Sequence, residues 1–474
     1  MPSPKDLGLP LEKWREGQYE LVTRAAEATK TLIIQAPPGT GKSALAVGAA
    51  RLSHQKTIIL TATKSLQTQY TTQFRGMVHS LYGRANYPCV LDTFDNYTAA
   101  DLGAVGVRCD DAPCGVGYQC SWVDRCPYFM ERDKFLGADI GVTNYSYFLQ
   151  SPMKCDLVVC DEGHLFDKVL GKEVRLPYDH IPEDIDNLLL ESRKEMYRSM
   201  VESRPNGREY RAYAKTLESI EQAISLLAKP TGKVFALEGG QLVIKEVWGQ
   251  WESGARTVIM SGTLEPVELF AKFYGIRDYE FVDVPWTFKA DRRPLYYRPV
   301  THVSGQRVGE VAPRLARMVD WELGRRGGEK GLIHSVSYEL GEAVWGLMRR
   351  QDRVLLHRRG DRREEVVAKF RTMERDVWLM SPSMGVGEDF PYDAARSQII
   401  LKLPFPNLGD PLVQARRRQY PEWYLYSTAQ ALWQMYGRVM RSEDDAGETV
   451  LLDENYDMIV KAGLVPSGIQ AAIR

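Results

Sequence analysis

Three stretches carry residue types that could do chemistry together. The first is Ala36-Pro37-Pro38-Gly39-Thr40-Gly41-Lys42-Ser43. Glycines in such a turn let backbone N–H groups face a phosphate, and a helix starting there adds partial positive charge. Pro38, Gly39, Thr40 and Gly41 would form the cradle, Lys42 would reach the β- and γ-phosphates, and Ser43 would hold Mg²⁺. Alanine, not glycine, opens the pattern at position 36. The second stretch is Asp161-Glu162-Gly163-His164. An Asp at a strand tip can hold Mg²⁺ through water, and the next Glu can orient and activate the attacking water. Acidic residues often follow strands, so this stretch gains force only from its pairing with Lys42. The third is Gln434-Met435-Tyr436-Gly437-Arg438-Val439-Met440-Arg441. Spacings of four and three predict Gln434, Arg438 and Arg441 on one helix face, either solvated or reaching a γ-phosphate. Upstream, Gln18 could read an adenine edge through its amide, or simply sit on a helix surface.

Seven cysteines stand at 89, 109, 114, 120, 126, 155 and 160, five of them between 89 and 126. Clustered cysteines in a cytosolic protein more often hold metal than pair as disulfides. Both tetrahedral zinc and an iron–sulfur cluster fit four thiolates. The all-cysteine set and the lack of a CxxC pair favour a cluster, and five candidates leave one spare. Cys155 and Cys160 flank Leu157-Val158-Val159 and read as core thiols.

The elements that must position these residues follow an α/β rhythm. Apolar runs Thr31–Ile34, Lys56–Leu60, Asp156–Cys160 and Thr257–Met260 read as buried strands, each ending in polar residues. Residues 11–29 read as a helix. Ligands gather at the C-terminal ends of parallel strands. Thr63, Lys64 and Gln67 follow the second run and suit sugar–phosphate contacts, with a capped helix start as the plainer reading. Asn144, Ser381 and Ser383 also stand at strand ends and are assigned to nucleic acid. Residues 180–230 read as two helices, and Lys233–Ile244 as a hairpin around Glu238-Gly239-Gly240. A second α/β unit follows, with strands expected at Gly331–Ser335, Arg353–Leu356, Asp376–Met380, Ser397–Leu401 and Thr449–Asp453.

A chain of 474 residues is too long for one core. Its net charge of −1 means that any nucleic-acid surface is a local groove rather than a general coat. No apolar run is long enough to span a membrane, and Met1–Asp6 has no signal-like apolar region, so a cytoplasmic location is expected.

With these motifs in this order, the chain resembles the superfamily 2 helicases of the iron–sulfur XPD/DinG branch, over nearly its whole length. The motifs are Gln18, the Lys42-Ser43 loop, Thr61–Gln69, Asp161–His164, Ser261-Gly262-Thr263-Leu264, Gly387–Phe390 and the QxxGRxxR pattern of Gln434–Arg441. The cysteine insert opens with Asn86-Tyr87-Pro88-Cys89 and closes with Cys126-Pro127-Tyr128-Phe129. Gly163 replaces the family's usual alanine.

The resemblance implies two RecA-like doubly wound domains. The first would comprise residues 1–82, 131–174 and 251–280. An iron–sulfur insert would occupy 83–130, a short helical arch 175–250, and the second motor domain 281–474. It implies ATP and Mg²⁺ as cofactors, with Asp389 among the nucleotide contacts. It implies a [4Fe–4S] cluster on Cys89, Cys114, Cys120 and Cys126, leaving Cys109 spare. Arg84 and Tyr87 would touch nucleic acid beside the cluster. A monomer moving 5′ to 3′ on single-stranded DNA and opening forked or tailed duplexes is expected. The alternatives are an RNA or protein–DNA remodelling translocase, an ATP-independent nucleic-acid-binding protein with a structural metal, and, last, an iron–sulfur nuclease.

Overall fold

The computed structural model describes residues 1–474 except 38, 95–105, 113, 115–118, 152, 178–186, 204–206, 287–288, 304–306, 383–389, 391 and 440–444. Pro38, Ser383, Asp389 and Arg441 therefore lie outside the described residues.

The short aliphatic runs become strands. In chain order they are β1 (Thr31–Gln35), β2 (Thr57–Thr61), β3 (His79–Ser80), β4 (Ile140–Asn144) and β5 (Leu157–Asp161), then β6 (Glu173–Leu176), β7 (Lys233–Glu238) and β8 (Gln241–Glu246). Next come β9 (Arg256–Ser261) and β10 (Tyr279–Asp283). The last six are β11 (Leu295–Thr301), β12 (Gly331–His334), β13 (Val354–Leu356), β14 (Trp378–Ser381), β15 (Ser397–Ile400) and β16 (Glu448–Asp453). Two parallel sheets result, in the orders β10-β1-β9-β5-β2-β4-β3 and β11-β16-β15-β12-β14-β13. The expected α/β architecture is thus present in both halves. β10 pairs with β1 from Tyr279 to Asp283, which carries the first sheet past the expected boundary at 280.

The central strands of the first sheet are buried on both faces. Leu32, Ile34, Val159, Val258 and Met260 join one core with Ala44–Val47 of helix α2 (Lys42–Ser53), while Ile33, Val158, Cys160 and Ile259 face Phe166 and Phe270. Cys160 is a core thiol as expected, whereas Cys155 is only partly buried.

Residues 173–246 are not purely helical. Helices Asn187–Ser203 and Gly207–Leu227 accompany an antiparallel sheet of order β6-β8-β7, and Leu176, Leu242 and Ile244 pack with Ile220, Ala223 and Leu226. The strand β6, Glu-Val-Arg-Leu, alternates exposed and buried residues, which is the period of a one-sided strand. The hairpin β7–β8 turns at Gly239 and Gly240, as its sequence predicts.

The two large sheets share an aromatic seam. Trp248 and Phe273 from the first half pack with Tyr420 and Trp423 from the second. Helix Pro421–Tyr436 runs along this seam, and Tyr426 and Gln430 donate to the carbonyls of Leu264 and Glu265.

Candidate nucleotide and nucleic-acid site

The strand order brings the first two motifs together. β9 lies between β1 and β5, so the loop after β1, the Ser261 end of β9 and Asp161 at the end of β5 are neighbours. Ala36 N–H donates to the Ser261 carbonyl at 2.7 Å, which fixes the entry to the loop. Gly39 and Gly41 both take positive φ there, and α2 starts at Lys42. A Cβ on Gly41 would stand 2.6 Å from Gln18 Nε2, so glycine is required by close approach as well as by its backbone angle.

Gln18 opens helix α1 (Gln18–Glu27) behind Gly17, so the helix is shorter than the 11–29 span read from sequence. Its amide is buried. Nε2 donates to the Thr40 and Gly41 carbonyls at 3.2 and 3.4 Å, and Oε1 accepts from Arg15 N–H at 3.1 Å. Gln18 therefore braces the loop. Lys42 Nζ donates to the Ala36 carbonyl at 3.2 Å.

Asp161 is buried at the β5 tip. Tyr70 O–H donates to its Oδ2 at 2.9 Å and Glu162 N–H to its Oδ1 at 3.0 Å. Burial, with the neighbouring Glu162 charge, pushes the Asp161 carboxyl up to about 6. Burial acts the same way on Glu162, but its bond with His164 and the charges of Lys42, His164 and Arg438 outweigh it, and the carboxyl is held down at about 2. The charges of Lys42, His164 and Arg438 thus favour the ionised form of Glu162. Glu162 also takes a left-handed φ of 56°, a costly conformation for a residue with a Cβ and one found at working sites. A Cβ on Gly163 would stand 2.5 Å from Ile259 Cγ2, which accounts for glycine in place of alanine.

Side chains from the second half complete the arrangement. His164 Nδ1 lies 3.1 Å from Glu162 Oε2 and 2.8 Å from Ser261 Oγ. Gln434 Nε2 donates to Thr263 Oγ1 at 2.8 Å and stands 3.5 Å from His164 Nδ1. Helix Pro421–Tyr436 ends at Tyr436, so Arg438 lies beyond it and does not share a helix face with Gln434. It is nonetheless buried, with its charge acting on Glu162. His164 and Gln434 also line a cavity of about 390 Å³ with Lys168, Arg363, Trp423 and Tyr426, residues to which no sequence signal pointed.

The residues assigned to nucleic acid divide. Thr63 caps helix α3 (Lys64–Gln73) by accepting from Leu66 N–H, and Lys64 is exposed beside it. Asn144 likewise caps the next helix through Tyr147 N–H and is partly exposed. Gln67 is a correction. It is fully buried, and its amide donates to Ser80 Oγ and to the Leu81 and Val142 carbonyls, tying α3 to the sheet edge. Ser381 is a second correction: it is buried, with Oγ 2.8 Å from His357 Nδ1. Both stand where helix and strand periodicity face inward, which a reading of polar clusters overlooks. Arg84 and Tyr87 are partly buried. Arg84 donates to Cys114 Sγ at 2.9 Å and lies over the Tyr128 ring, while the Tyr87 phenol oxygen accepts from Tyr82 N–H.

Cys89, Cys109, Cys114, Cys120 and Cys126 line one small cavity with Val90, Leu91, Trp122 and Phe129. Cys109 Sγ and Cys126 Sγ are 3.8 Å apart, and the Cys109 S–H, together with the Tyr128 and Phe129 N–H groups, holds the Cys126 thiol down at about 6. Among the described residues, no three His, Cys, Asp or Glu side chains stand close enough to grip a single metal ion. Cys109 lines the cavity with the other four and is not set apart by position.

Comparison with known proteins agrees with this layout. The helicase C-terminal domain family matches residues 325–462, and the type III restriction enzyme res subunit family matches residues 11–185. The ATP-dependent DNA helicase YoaA of Escherichia coli (strain K12) is 22% identical, over 95% of this chain and 93% of its own. A solved XPD helicase structure superposes with a TM-score of 0.64 at 16% identity, over 98% of this chain and 100% of that one. The S. tokodaii Xpd4 structure gives 0.57 at 17%, over 97% and 99%. At such identities the structural likeness speaks to the fold, an XPD-like pair of RecA-like domains.

Proposed function

We propose that this chain, a superfamily 2 helicase of the XPD/DinG type, is an ATP-dependent DNA helicase that moves 5′ to 3′ along single-stranded DNA and opens forked or tailed duplexes. The observation that carries the reading is the convergence of Lys42, Ser43, Asp161 and Glu162 at strand ends on either side of β9, with Gln434 and Arg438 arriving from the other half. A binding module without hydrolysis has no need of an ionised, strained Glu162 beside a phosphate loop.

The roles follow from these positions. The backbone from Gly39 to Gly41 and the Lys42 ammonium bind the phosphates, with Gln18 bracing the loop. Ser43 and Asp161 fit Mg²⁺, because one hydroxyl and one buried carboxylate with its outer bonds already satisfied make a hard oxygen set. When bound, Mg²⁺ neutralises charge on the phosphates. Glu162, held ionised, orients the attacking water and accepts its proton. Arg438 brings positive charge to the γ-phosphate from the second domain, and Arg441 and Asp389 are assigned to the same cleft. Hydrolysis therefore depends on how the halves meet, which is how a motor converts bond cleavage into movement.

A [4Fe–4S] cluster on Cys89, Cys114, Cys120 and Cys126 suits the converging thiols. When bound, it supplies a covalent centre for an insert with little apolar core of its own. Thr63, Lys64 and Asn144 offer hydroxyl, ammonium and amide groups to the strand.

ATP hydrolysis measured with and without single-stranded DNA or RNA, followed by unwinding of duplexes bearing one 5′ or one 3′ tail, tests this reading. DNA-stimulated hydrolysis and opening of the 5′-tailed substrate are expected. Hydrolysis indifferent to nucleic acid, or opening only of 3′-tailed substrates, overturns the motor or its polarity respectively.

A further inference from the structure

Tyr70 belongs to neither the phosphate loop nor the acidic motif, yet it is bonded to the second. It is fully buried on α3, between Gln67 and Phe74, and its O–H donates to Asp161 Oδ2 at 2.9 Å. Asp161 is held from its other side by Glu162 N–H on Oδ1, and its backbone carbonyl accepts from Tyr145 O–H at 2.7 Å. A phenol in an apolar core normally needs a partner, and here the partner is the carboxylate that reads as a metal ligand. Gln67, one turn earlier, pins α3 to the Leu81 and Val142 carbonyls, so the phenol is carried by an anchored helix.

We infer that Tyr70 is a positioning residue that holds the Asp161 carboxylate in the geometry that accepts Mg²⁺. This rests on the assignment of Ser43 and Asp161 to Mg²⁺ above. A carboxylate with both oxygens fixed before the ion arrives loses less freedom on binding it, just as outer partners orient metal ligands elsewhere. The same helix begins at Thr63 and Lys64, so the phenol also ties the metal side to the element proposed to face nucleic acid.

Mn²⁺ binding to the full chain loaded with ADP, followed by electron paramagnetic resonance, tests this without requiring turnover. Tyr70→Phe keeps the ring and removes only the hydroxyl. Its Mn²⁺ dissociation constant is expected to rise about ten-fold, the low end for loss of an outer partner, with ADP affinity in EDTA unchanged. Phe74→Leu disturbs packing of the same helix without touching the hydroxyl and should leave Mn²⁺ affinity at the wild-type value. Unchanged Mn²⁺ affinity in Tyr70→Phe, or an equal loss in both variants, overturns the positioning role. Wild-type protein that binds ADP but shows no ADP-linked Mn²⁺ site takes down the Ser43–Asp161 assignment itself, and this inference with it.

Discussion

Gln434, two residues before the end of its helix in the second half, donates its amide to the Thr263 hydroxyl of the first half at 2.8 Å. Thr263 follows β9, whose last residue, Ser261, is bonded to both His164 and the start of the phosphate loop. One amide therefore joins the second half to the element between the two nucleotide motifs. Gln434→Ala should leave nucleotide affinity near wild type. It should cut DNA-stimulated hydrolysis by about ten-fold, the equivalent of one lost polar contact of about 1.4 kcal/mol. Equal loss of the stimulated and unstimulated rates would place Gln434 in the chemistry rather than in communication between the halves.

Lys42→Ala and Glu162→Gln separate binding from chemistry. The first removes the cation for the β- and γ-phosphates and should weaken nucleotide binding as well as turnover. The second keeps nearly the same shape without a base, so nucleotide should still bind while turnover falls by about 10²–10⁴. Fluorescent-nucleotide titration and steady-state phosphate release distinguish the two. Near-wild-type turnover in both variants would sink the motor assignment.

Arg416 holds the seam. It is buried, donates to the Val247 and Asp167 carbonyls at 2.8 Å each, and sits over both Trp248 and Trp423. Arg416→Met fills the space but orphans two carbonyls and removes both cation–π contacts. Stability should fall by about 3 kcal/mol or more in urea denaturation. A loss below about 1 kcal/mol would mean that water reaches the seam and replaces the guanidinium.

His334, at the end of β12, gives the fold an acid limit. Burial, with the Arg438 charge, pulls its pKa down to about 4 from the usual 6.5, and Nε2 lies 3.0 Å from Gln398 Oε1. The unfolded chain therefore takes up a proton below about pH 6.5 that the native state refuses until about pH 4. Stability is lost as pH falls through that window, by up to about 3 kcal/mol from this group. His334→Gln cannot titrate and should flatten the slope of melting temperature between pH 7 and 4.5. An unchanged slope would assign the acid sensitivity to other groups.

The parts legible in the sequence were those in which local pattern and function coincide. Thr31–Gln35, Leu157–Asp161 and Arg256–Ser261 are aliphatic runs with polar ends, and all three became central strands. Neighbouring strands were harder. β10 and β11, Tyr-Glu-Phe-Val-Asp and Leu-Tyr-Tyr-Arg-Pro-Val-Thr, are edge strands with mixed polarity and no long apolar run. Gln67 and Ser381 were misread because a polar side chain can be buried when backbone carbonyls or a histidine satisfy it, and sequence does not name those partners. Tyr70 was invisible for the same reason. Its role depends on a partner 91 residues away.

The cysteine cavity gives the prediction with the most direct readout. Five thiols face one small space, yet only Cys109 and Cys126 are within 4.0 Å as a hydrogen-bonded sulfur pair among the described residues. A zinc ion draws four thiolates to within about 2.3 Å of one centre, whereas a cluster spreads them around several irons. On the proposed [4Fe–4S] assignment, the protein should purify brown under anaerobic conditions, with iron and sulfide each near four per chain. Cys89→Ser, Cys114→Ser, Cys120→Ser and Cys126→Ser should each bleach it. Cys109→Ser should keep the colour, because Cys109 is the member left over once the insert's opening and closing motifs are matched. The two parallel sheets have their own cores, so bleached variants should still bind nucleotide while losing duplex opening. A colourless protein with one zinc per chain would replace the cluster by a single ion. Bleaching by Cys109→Ser, with colour kept in one of the other four, would exchange Cys109 into the ligand set.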